Sequence, residues 1–481
     1  MRIRKLIAGL PATLQKSTAP VGKREVFDVV TEASDAGEHT LFVCMHTHLH
    51  NYHYDAKAAY DRGCRTFLSE RGLALPPDAS VLVTENTGAV LGILAARCHR
   101  HPAKHVKVIG ISGTNGKTST AYLTASILKN AGKRTGIITT DGIAYGNVLI
   151  PATTTVPNAA DLHRTLRRMR EAGVEYAIVE FSAYMLKHGA ARGIPFAATL
   201  LTDLVTHHLN EHAYRTPKEY RRAKEALLCE KSALCILPAA ISVPTPSATR
   251  TIRVGSPRYD TQNAHLQRKN GVDGIEFSAV IKGKAHTAFT AVPAEFAAGN
   301  AYCALLLATA MGTPLARAIR SLEALTVPCR MECIVNKNAK RVFLDSAYTG
   351  EELTRALTAL RTITKGRLSV LLGSVGGRAK ERRAPLGKAA LTHADFTYFT
   401  ADDPDTEPIN SILDDMLSDI PPTPFYTIIK DRQKAIQTAV MDTKEGDVLL
   451  ILGKAESTQL TSEGKLPFFD RKIATDAAEA Y

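Results

Sequence analysis

The sequence predicts an α/β protein of three domains in series: a small domain over 1–105, a central domain over 106–326 with a mostly parallel sheet around a phosphate loop, and a Rossmann-like domain over 327–481. Three observations predict it. VKVIGISGTNGKTST (106–120) reads as strand, glycine-rich loop and helix. Behind it, GIITT (136–140), AIVEFS (177–182) and FAATLLT (196–202) alternate with helical stretches, and strands this apolar are covered on both faces. After Pro328 a second series of the same kind begins: RVFLDSAY (341–348), LSVLLGS (368–374), FTYFTADD (396–403), FYTIIK (425–430) and DVLLILGKA (447–455).

The remaining elements follow in order. LFVCM (41–45), TFL (66–68) and VLVT (81–84), with a helical YDAKAAYDRG (54–63), make the first domain a small α/β unit. HPAKH (101–105) reads as a linker. In the central domain a helix is expected over 162–172, a polar helical stretch over 205–230, a short strand at CILPAA (235–240), weaker alternating strands over 248–292, and a helix over 294–311. In the third domain a helix over 351–363 and another ending before Asp395 separate the strands. No close repeat relates the domains.

With 481 residues, 45% hydrophobic and 22% charged, the chain is an ordinary globular protein too long for one core. No apolar run reaches membrane-spanning length, and the basic start MRIRKLIAGLPATL carries too weak an apolar stretch for a signal peptide. The eight cysteines are scattered without zinc-ligand spacing, which fits free thiols in a reducing cytoplasm. A net charge of +13 suits nucleotides and phosphorylated substrates. Basic residues do not interleave with aromatic ones and no reading helix is visible, so nucleic acid is not an expected partner.

The sharpest local signal is Gly110-Ile-Ser-Gly-Thr-Asn-Gly-Lys-Thr118, which fits GxxxxGK[ST] directly after a strand. Glycines at 110 and 116 are expected to let the backbone wrap phosphates, with N–H groups at the helix start meeting the oxygens. Lys117 would bring a charge to the terminal phosphates and Thr118 a hydroxyl to Mg²⁺. Such a loop does not name a reaction, because hydrolysis, phosphoryl transfer and acyl activation share it.

Downstream candidates carry competing readings. Glu180 ends the strand AIVE, where an open α/β sheet places ligands, so it is a candidate for Mg²⁺, with a capping or salt-bridged glutamate as the lesser alternative. His207, His208 and His212 lie in THHLNEH; the spacing of the last two lacks the glutamate of a zinc protease, and on periodicity alone each reads more readily as a surface or packed residue than as a ligand. Lys224 shares a helical face with Tyr220 and by itself is an ordinary amphipathic lysine.

Taken together and in order, these pieces resemble the Mur ligase family over nearly the whole chain, in its muramyl-tripeptide synthetase branch. The family's GxTGTNGKTT stands here as GISGTNGKTS (110–119), its ExSSH as EFSAY (180–184), and its TNLxxDHLDxH with YxxAKxxLF as TDLVTHHLNEH (202–212) with YRRAKEALL (220–228). VPGRME appears as VPCRME (327–332) and DYAHTP as DSAYTG (345–350). The glycine- and arginine-rich segment at 364–390, GDVLLILGKAES (446–457) and LPFFDR (466–471) complete the series.

The resemblance implies an N-terminal domain for the UDP end of a nucleotide-sugar peptide, a central domain for ATP and a mobile C-terminal domain for an amino acid. It implies an ATP- and Mg²⁺-dependent ligase that activates a carboxylate as an acyl phosphate and joins it to an amine. It places Gly113, Thr114, Asn115, Gly116, Lys117, Thr118 and Ser119 on the phosphates, Asn300 near the adenine, and Arg330 and Asp345 on ATP from the C-terminal domain. Thr118 and Glu180 would hold one metal, His208 would support a second, and Lys224 would be the family's carbamylated lysine. His53, Thr155, Ser182, Arg192, Arg378, Asp402, Asp403, Asp405, Lys454 and Glu456 would face the substrates. The partners implied are small molecules, with no membrane insertion, and the chain is expected to be monomeric.

Departures from the family cluster at the substrate sites. The family's DSR is missing from VVTEASDAGEHTLFV (29–43), its GxxxDGH becomes THLHNYH (47–53), and its TTP becomes Thr155-Val156-Pro157. Ala190 replaces a usual arginine, with Arg192 two positions on. DNPR reads Asp402-Asp403-Pro404-Asp405, an anion where the family's arginine meets a distal carboxylate. At the nucleotide site, Asp203 replaces asparagine and His207 replaces aspartate. The expectation is a Mur-type ligase of cell-wall synthesis. Its alternatives are a relative recruited to another acceptor, a folylpolyglutamate-type ligase, which lacks this N-terminal domain, and a nucleotide-binding scaffold.

Overall fold

The computed structural model describes residues 1–10, 13–14, 24–47, 50–151, 157–205, 214, 216–337, 339–377, 380–418, 420–453, 457–462 and 464–480. They form two compact units, one of residues 1–260, 279–285 and 302–318, the other of 261–278, 286–301 and 319–481.

The first unit opens with helix α1 (Ile3–Ile7) and strands β1 (Thr13–Leu14), β2 (Asp28–Val30), β3 (Thr40–Cys44), β4 (Thr66–Ser69) and β5 (Ser80–Val83). They form a sheet of order β1-β5-β4-β3-β2, with helices α2 (Ala56–Asp61) and α3 (Thr87–Cys98). The expected linker is a single 3-10 turn at Pro102–Lys104, which leads into β6 (Lys107–Ser112), α4 (Lys117–Asn130), β7 (Thr135–Thr139), β8 (Gly142–Tyr145), β9 (Val148–Pro151), α5 (Ala159–Glu171) and β10 (Tyr176–Glu180). Then come α6 (Ala183–Lys187), β11 (Phe196–Leu201), α7 (Pro217–Glu225), β12 (Leu234–Pro238) and β13 (Arg250–Val254). The large sheet has the order β13-β12-β11-β6-β10-β7-β8-β9, parallel except for the β7–β8–β9 meander.

Val108, Ile109 and Ile111 of β6 are fully buried, as a strand with helices on both faces requires. The β8–β9 hairpin was not read from the sequence, although Gly146 at φ 54° marks its turn. Of the polar helical stretch expected over 205–230, the described residues hold α7, which starts where Pro217 fits the first helical turn and the Thr216 hydroxyl caps the Glu219 N–H, and a 3-10 turn at 226–229. Residues 206–213 and 215 lie outside the described residues.

A partly buried ionic cluster fastens the first sheet to α5. Asp28 of β2 accepts from Arg164 Nε at 2.9 Å and lies 3.2 Å from Nε2 of the fully buried His99. Burial pushes the Asp28 carboxyl up, yet His99 and Arg164 outweigh it and hold the group at about 2. The Asn158 side chain adds a hydrogen bond to Thr31 Oγ1 at 2.9 Å and also caps α5.

Next in the chain come β14 (Tyr259–Lys269), β15 (Val272–Ile281), β16 (Lys284–Thr290), α8 (Phe296–Ala310) and α9 (Leu315–Leu322). The second series holds β17 (Glu332–Lys337), β18 (Lys340–Asp345), α10 (Gly350–Arg361), β19 (Leu368–Leu372), α11 (Arg383–His393), β20 (Phe396–Phe399), α12 (Ile409–Leu417), β21 (Tyr426–Ile428), α13 (Arg432–Asp442) and β22 (Val448–Leu452). Its sheet runs β17-β18-β22-β19-β20-β21, all parallel except the β17–β18 pair, which is the doubly wound arrangement read from the sequence. A hairpin of β23 (Ser457–Thr461) and β24 (Gly464–Phe468) and helix α14 (Asp470–Glu479) close the chain.

Candidate nucleotide site

Sheet order decides what meets here. The neighbours β11, β6, β10 and β7 are parallel, so their carboxyl ends open on one edge, the place where open α/β sheets bind ligands. From that edge project Thr202 and Asp203 after β11, the 113–116 loop after β6, Glu180 at the end of β10, and Thr140 after β7. Helix α4 starts at the same edge with Gly116 at its N-cap and no side-chain cap, whereas asparagine side chains cap α3 and α5. Thr120 is bonded to the Gly116 carbonyl at 2.9 Å, the first rung of α4, so the amides of residues 117–119 point out of the helix end. That end is an anion site by construction.

Gly113 and Gly116 have φ of 142° and 76°, and a Cβ on Gly113 would overlap Thr202 Oγ1. Gly110 corrects an expectation. It lies inside β6, not in the loop, and its missing side chain admits the Phe196 ring, 2.8 Å from where a Cβ would stand.

Lys117 donates from Nζ to the Thr114 carbonyl at 2.8 Å and lies 3.7 Å from Glu180 Oε1. The Thr118 hydroxyl donates to Glu180 Oε2 at 2.8 Å, and the Thr140 N–H reaches the same oxygen at 3.3 Å. Glu180 is almost wholly buried. A buried carboxylate beside a threonine hydroxyl at the mouth of a phosphate loop is a hard oxygen set that fits Mg²⁺. Ser119 follows in the first turn of α4.

Lys224 is the surprise of the site. It is 3% exposed, donates to Thr114 Oγ1 at 2.9 Å, and lies 4.3 Å from the centre of the Tyr220 ring. Burial pushes its ammonium down to about 7, with Lys117 acting in the same direction and Asp203 against it. Nothing in its helical spacing announced this. Thr140, Thr202 and the link from Thr114 to Lys224 were likewise missed, since sheet order alone brings them together. Asp203 accepts from the Thr114 N–H at 2.6 Å, from the Asn115 N–H at 2.9 Å and from Asn115 Nδ2 at 2.9 Å.

Other expected residues lie elsewhere. Ser182 caps α6 through the Met185 N–H at 3.1 Å. Arg192 is paired with Glu230 at 3.4 Å, and its carbonyl contacts His163 Nε2 at 3.2 Å. His53 Nδ1 is bonded to Asn51 Oδ1 at 2.8 Å, and burial lowers its pKa. Thr155, His208, Arg378, Lys454 and Glu456 lie outside the described residues.

Asn300 is half-buried on α8, in the second unit with Arg330 and Asp345. Asp345 ends β18 and accepts from the Met331 and Ala347 N–H groups, each at 2.8 Å. Burial raises its pKa and Arg330 opposes that rise. Asp402, Asp403 and Asp405 line the loop after β20. Asp403 is buried, its carbonyl accepts from the Gly376 N–H at 2.7 Å, and Asp405 adopts φ 54°, a left-handed conformation that aspartate tolerates. Buried Arg432 ties this loop to the end of β22, donating to the Ala401 carbonyl at 3.0 Å and the Leu452 carbonyl at 2.8 Å while pairing with Asp470 at 2.6 Å.

Strand-end placement, the uncapped helix and the Lys117, Thr118 and Glu180 set define a P-loop nucleotide-binding protein, and buried Lys224 sets it apart from a simple nucleotide clasp. Comparison narrows the class. The Mur ligase middle domain matches residues 111–308, and the Mur ligase glutamate ligase domain matches 329–455. The chain is 30% identical over 494 residues to the UDP-N-acetylmuramoyl-L-alanyl-D-glutamate–2,6-diaminopimelate ligase of Bacillus licheniformis, covering 99% of each chain. It is also 30% identical to the protein of that name in Aquifex aeolicus, covering 89% of this chain and 88% of that one. A solved structure of a 2,6-diaminopimelate ligase of this kind superposes with a TM-score of 0.68 at 20% identity, covering 100% of this chain and 99% of that one. A MurF ligase from Thermotoga maritima in complex with ADP superposes at 0.57 with 16% identity, covering 94% and 96%. The chain belongs to the Mur ligase family.

Proposed function

We propose that this protein is a Mur-type ligase of cell-wall synthesis, which phosphorylates the terminal carboxylate of a UDP-N-acetylmuramoyl dipeptide and joins it to an amino acid, releasing ADP and phosphate. The observation that carries this reading is Lys224, a buried lysine with its pKa near 7 hydrogen-bonded to the phosphate loop. A scaffold has no use for so unfavourable a residue. A ligase does: with its pKa down at about 7 a substantial share of the lysine is the neutral amine, whose nitrogen would bond to carbon dioxide and release a proton, leaving a carbamate anion that could support a metal.

Bound ATP with Mg²⁺ supplies the phosphoryl group that turns a carboxylate, a poor leaving group, into an acyl phosphate. The chain's own residues orient and neutralise. The amides at the start of α4 receive phosphate oxygens, and Lys117 swings from the Thr114 carbonyl to the terminal phosphates. Thr118 and Glu180 would hold the metal, which would neutralise phosphate charge there. In this reading residues 1–105, 106–326 and 327–481 serve the nucleotide-sugar end, ATP and the amino acid, and the protein works in the cytoplasm. Asp405, where the family's arginine stands, favours a distal ammonium. Diaminopimelate and lysine share that ammonium, but a distal carboxylate has lost its arginine partner.

A second reading, a ligase recruited to another carboxylate, is favoured by one observation. The family's DSR is missing from residues 29–43, and there Thr31 is engaged by Asn158 and Glu32 is hydrogen-bonded to Tyr52. The test is phosphate release from ATP with Mg²⁺ and bicarbonate, given UDP-N-acetylmuramoyl dipeptide and a panel including diaminopimelate and lysine, with products weighed by mass spectrometry. A UDP-linked tripeptide establishes the first reading and names the amino acid. Nucleotide binding without acceptor-dependent release rejects it in favour of the second.

A further inference from the structure

We propose that Asp203 is a positioning residue of the nucleotide site, a carboxylate clamp that sets the phosphate loop and, through Thr114, the place of Lys224. The inference rests on the nucleotide-binding part of the proposed function.

A carboxylate only accepts, and here each of its oxygens meets donors alone. Oδ1 takes the N–H of Thr114 at 2.6 Å and of Asn115 at 2.9 Å, while Oδ2 takes the side-chain Nδ2 of Asn115 at 2.9 Å. An asparagine at 203, the residue the family resemblance would put there, offers one oxygen to the two loop N–H groups and would meet the Asn115 side chain only with that amide turned over, its oxygen towards residue 203. The aspartate therefore matches its neighbour in this chain.

Two consequences follow for the site. The amides of residues 114 and 115 are committed to Asp203 and stand outside the phosphate cradle, which leaves the work to the open end of α4. With its N–H fixed, Thr114 also has its hydroxyl fixed: Oγ1 donates to the Val205 carbonyl, accepts from the Val205 N–H, both at 3.0 Å, and accepts from Lys224 Nζ at 2.9 Å. Thr202 completes the brace, donating from Oγ1 to the Asn115 carbonyl at 2.6 Å in the space left by Gly113. The loop that holds phosphate and the lysine beside it thus take their position from one carboxylate at the end of β11.

The experiment is equilibrium binding of Mg-ADP to the full chain, with the melting temperature of each nucleotide-free variant measured in parallel. Asp203→Ala is expected to weaken binding roughly tenfold or more, the factor carried by a lost charge-assisted hydrogen bond. Asn115→Asp sets two carboxylates against each other and is expected to lose comparably. Combining Asn115→Asp with Asp203→Asn restores a donor facing an acceptor and is expected to recover binding to within about threefold of the parent, a coupling that a merely structural role would not produce. Asp203→Ala binding as tightly as the parent would overturn the proposal, as would a double variant no better than Asn115→Asp alone. A parent chain that binds no Mg-ADP at all would overturn the nucleotide reading along with it, whereas a parent that binds while the variants behave otherwise than expected overturns the clamp alone.

Discussion

Replacing Lys224 by methionine should make the protein more stable while abolishing ligation. In the folded chain the amine is buried and its pKa falls from the ordinary 10.5 to about 7. At about 1.4 kcal/mol per tenfold change in proton affinity, keeping this lysine folded at pH 7 costs about 4 kcal/mol relative to the unfolded, fully protonated side chain. Methionine fills the same space, keeps contact with the Tyr220 ring, and forgoes only the hydrogen bond to Thr114, worth about 1 kcal/mol. The net expectation is a gain of about 3 kcal/mol at pH 7.

The sign with pH follows from the depressed pKa of a base. Between about 7 and 10.5 the unfolded state binds more protons than the folded state, so the parent gains stability as pH rises through that window. The advantage of Lys224→Met should therefore shrink to about zero near pH 10, and grow slightly below pH 7. Urea unfolding followed by circular dichroism, in degassed buffer so that no carbamate forms, measures it. Taking the difference between the two chains at each pH removes every group that titrates alike in both. A variant no more stable than the parent at pH 7, or a gap unchanged between pH 7 and 10, would refute the reasoning.

Two further outcomes are expected. Gly113→Ala places a Cβ where Thr202 Oγ1 stands, at a φ of 142° that side chains rarely adopt. It should weaken Mg-ADP binding at least tenfold, as measured by calorimetry, and destabilise the chain by about 1–3 kcal/mol in urea. Asp405→Arg should shift preference towards an amino acid with a distal carboxylate, read as the ratio of kcat/KM for diaminopimelate over lysine rising about tenfold or more. An unchanged ratio would place Asp405 outside the amino-acid pocket.

Much of the fold was legible because its signals are local. Apolar runs of strand length between helical stretches gave most strands of the three larger sheets, and the glycine-lysine-threonine loop announced itself between β6 and α4. Glu180 was found by a positional rule, the end of a parallel strand. The errors were local too. Gly110 fits the loop pattern, yet β6 runs on to Ser112, and that glycine serves the packing of Phe196. The β8–β9 hairpin went unread although Gly146 marks its turn.

By itself the sequence determined the α/β class, the phosphate loop and the order of motifs that relates the chain to its family, since each depends on neighbours in the chain. Tertiary structure alone decided what those residues face. Strand order β11-β6-β10-β7 gathers Asp203, the loop, Glu180 and Thr140 from positions as far apart as 113 and 203. Burial against that edge turns Lys224 from an ordinary amphipathic lysine into an amine near neutrality, because the energy of a charge is set by the water taken away from it and by the charges brought beside it.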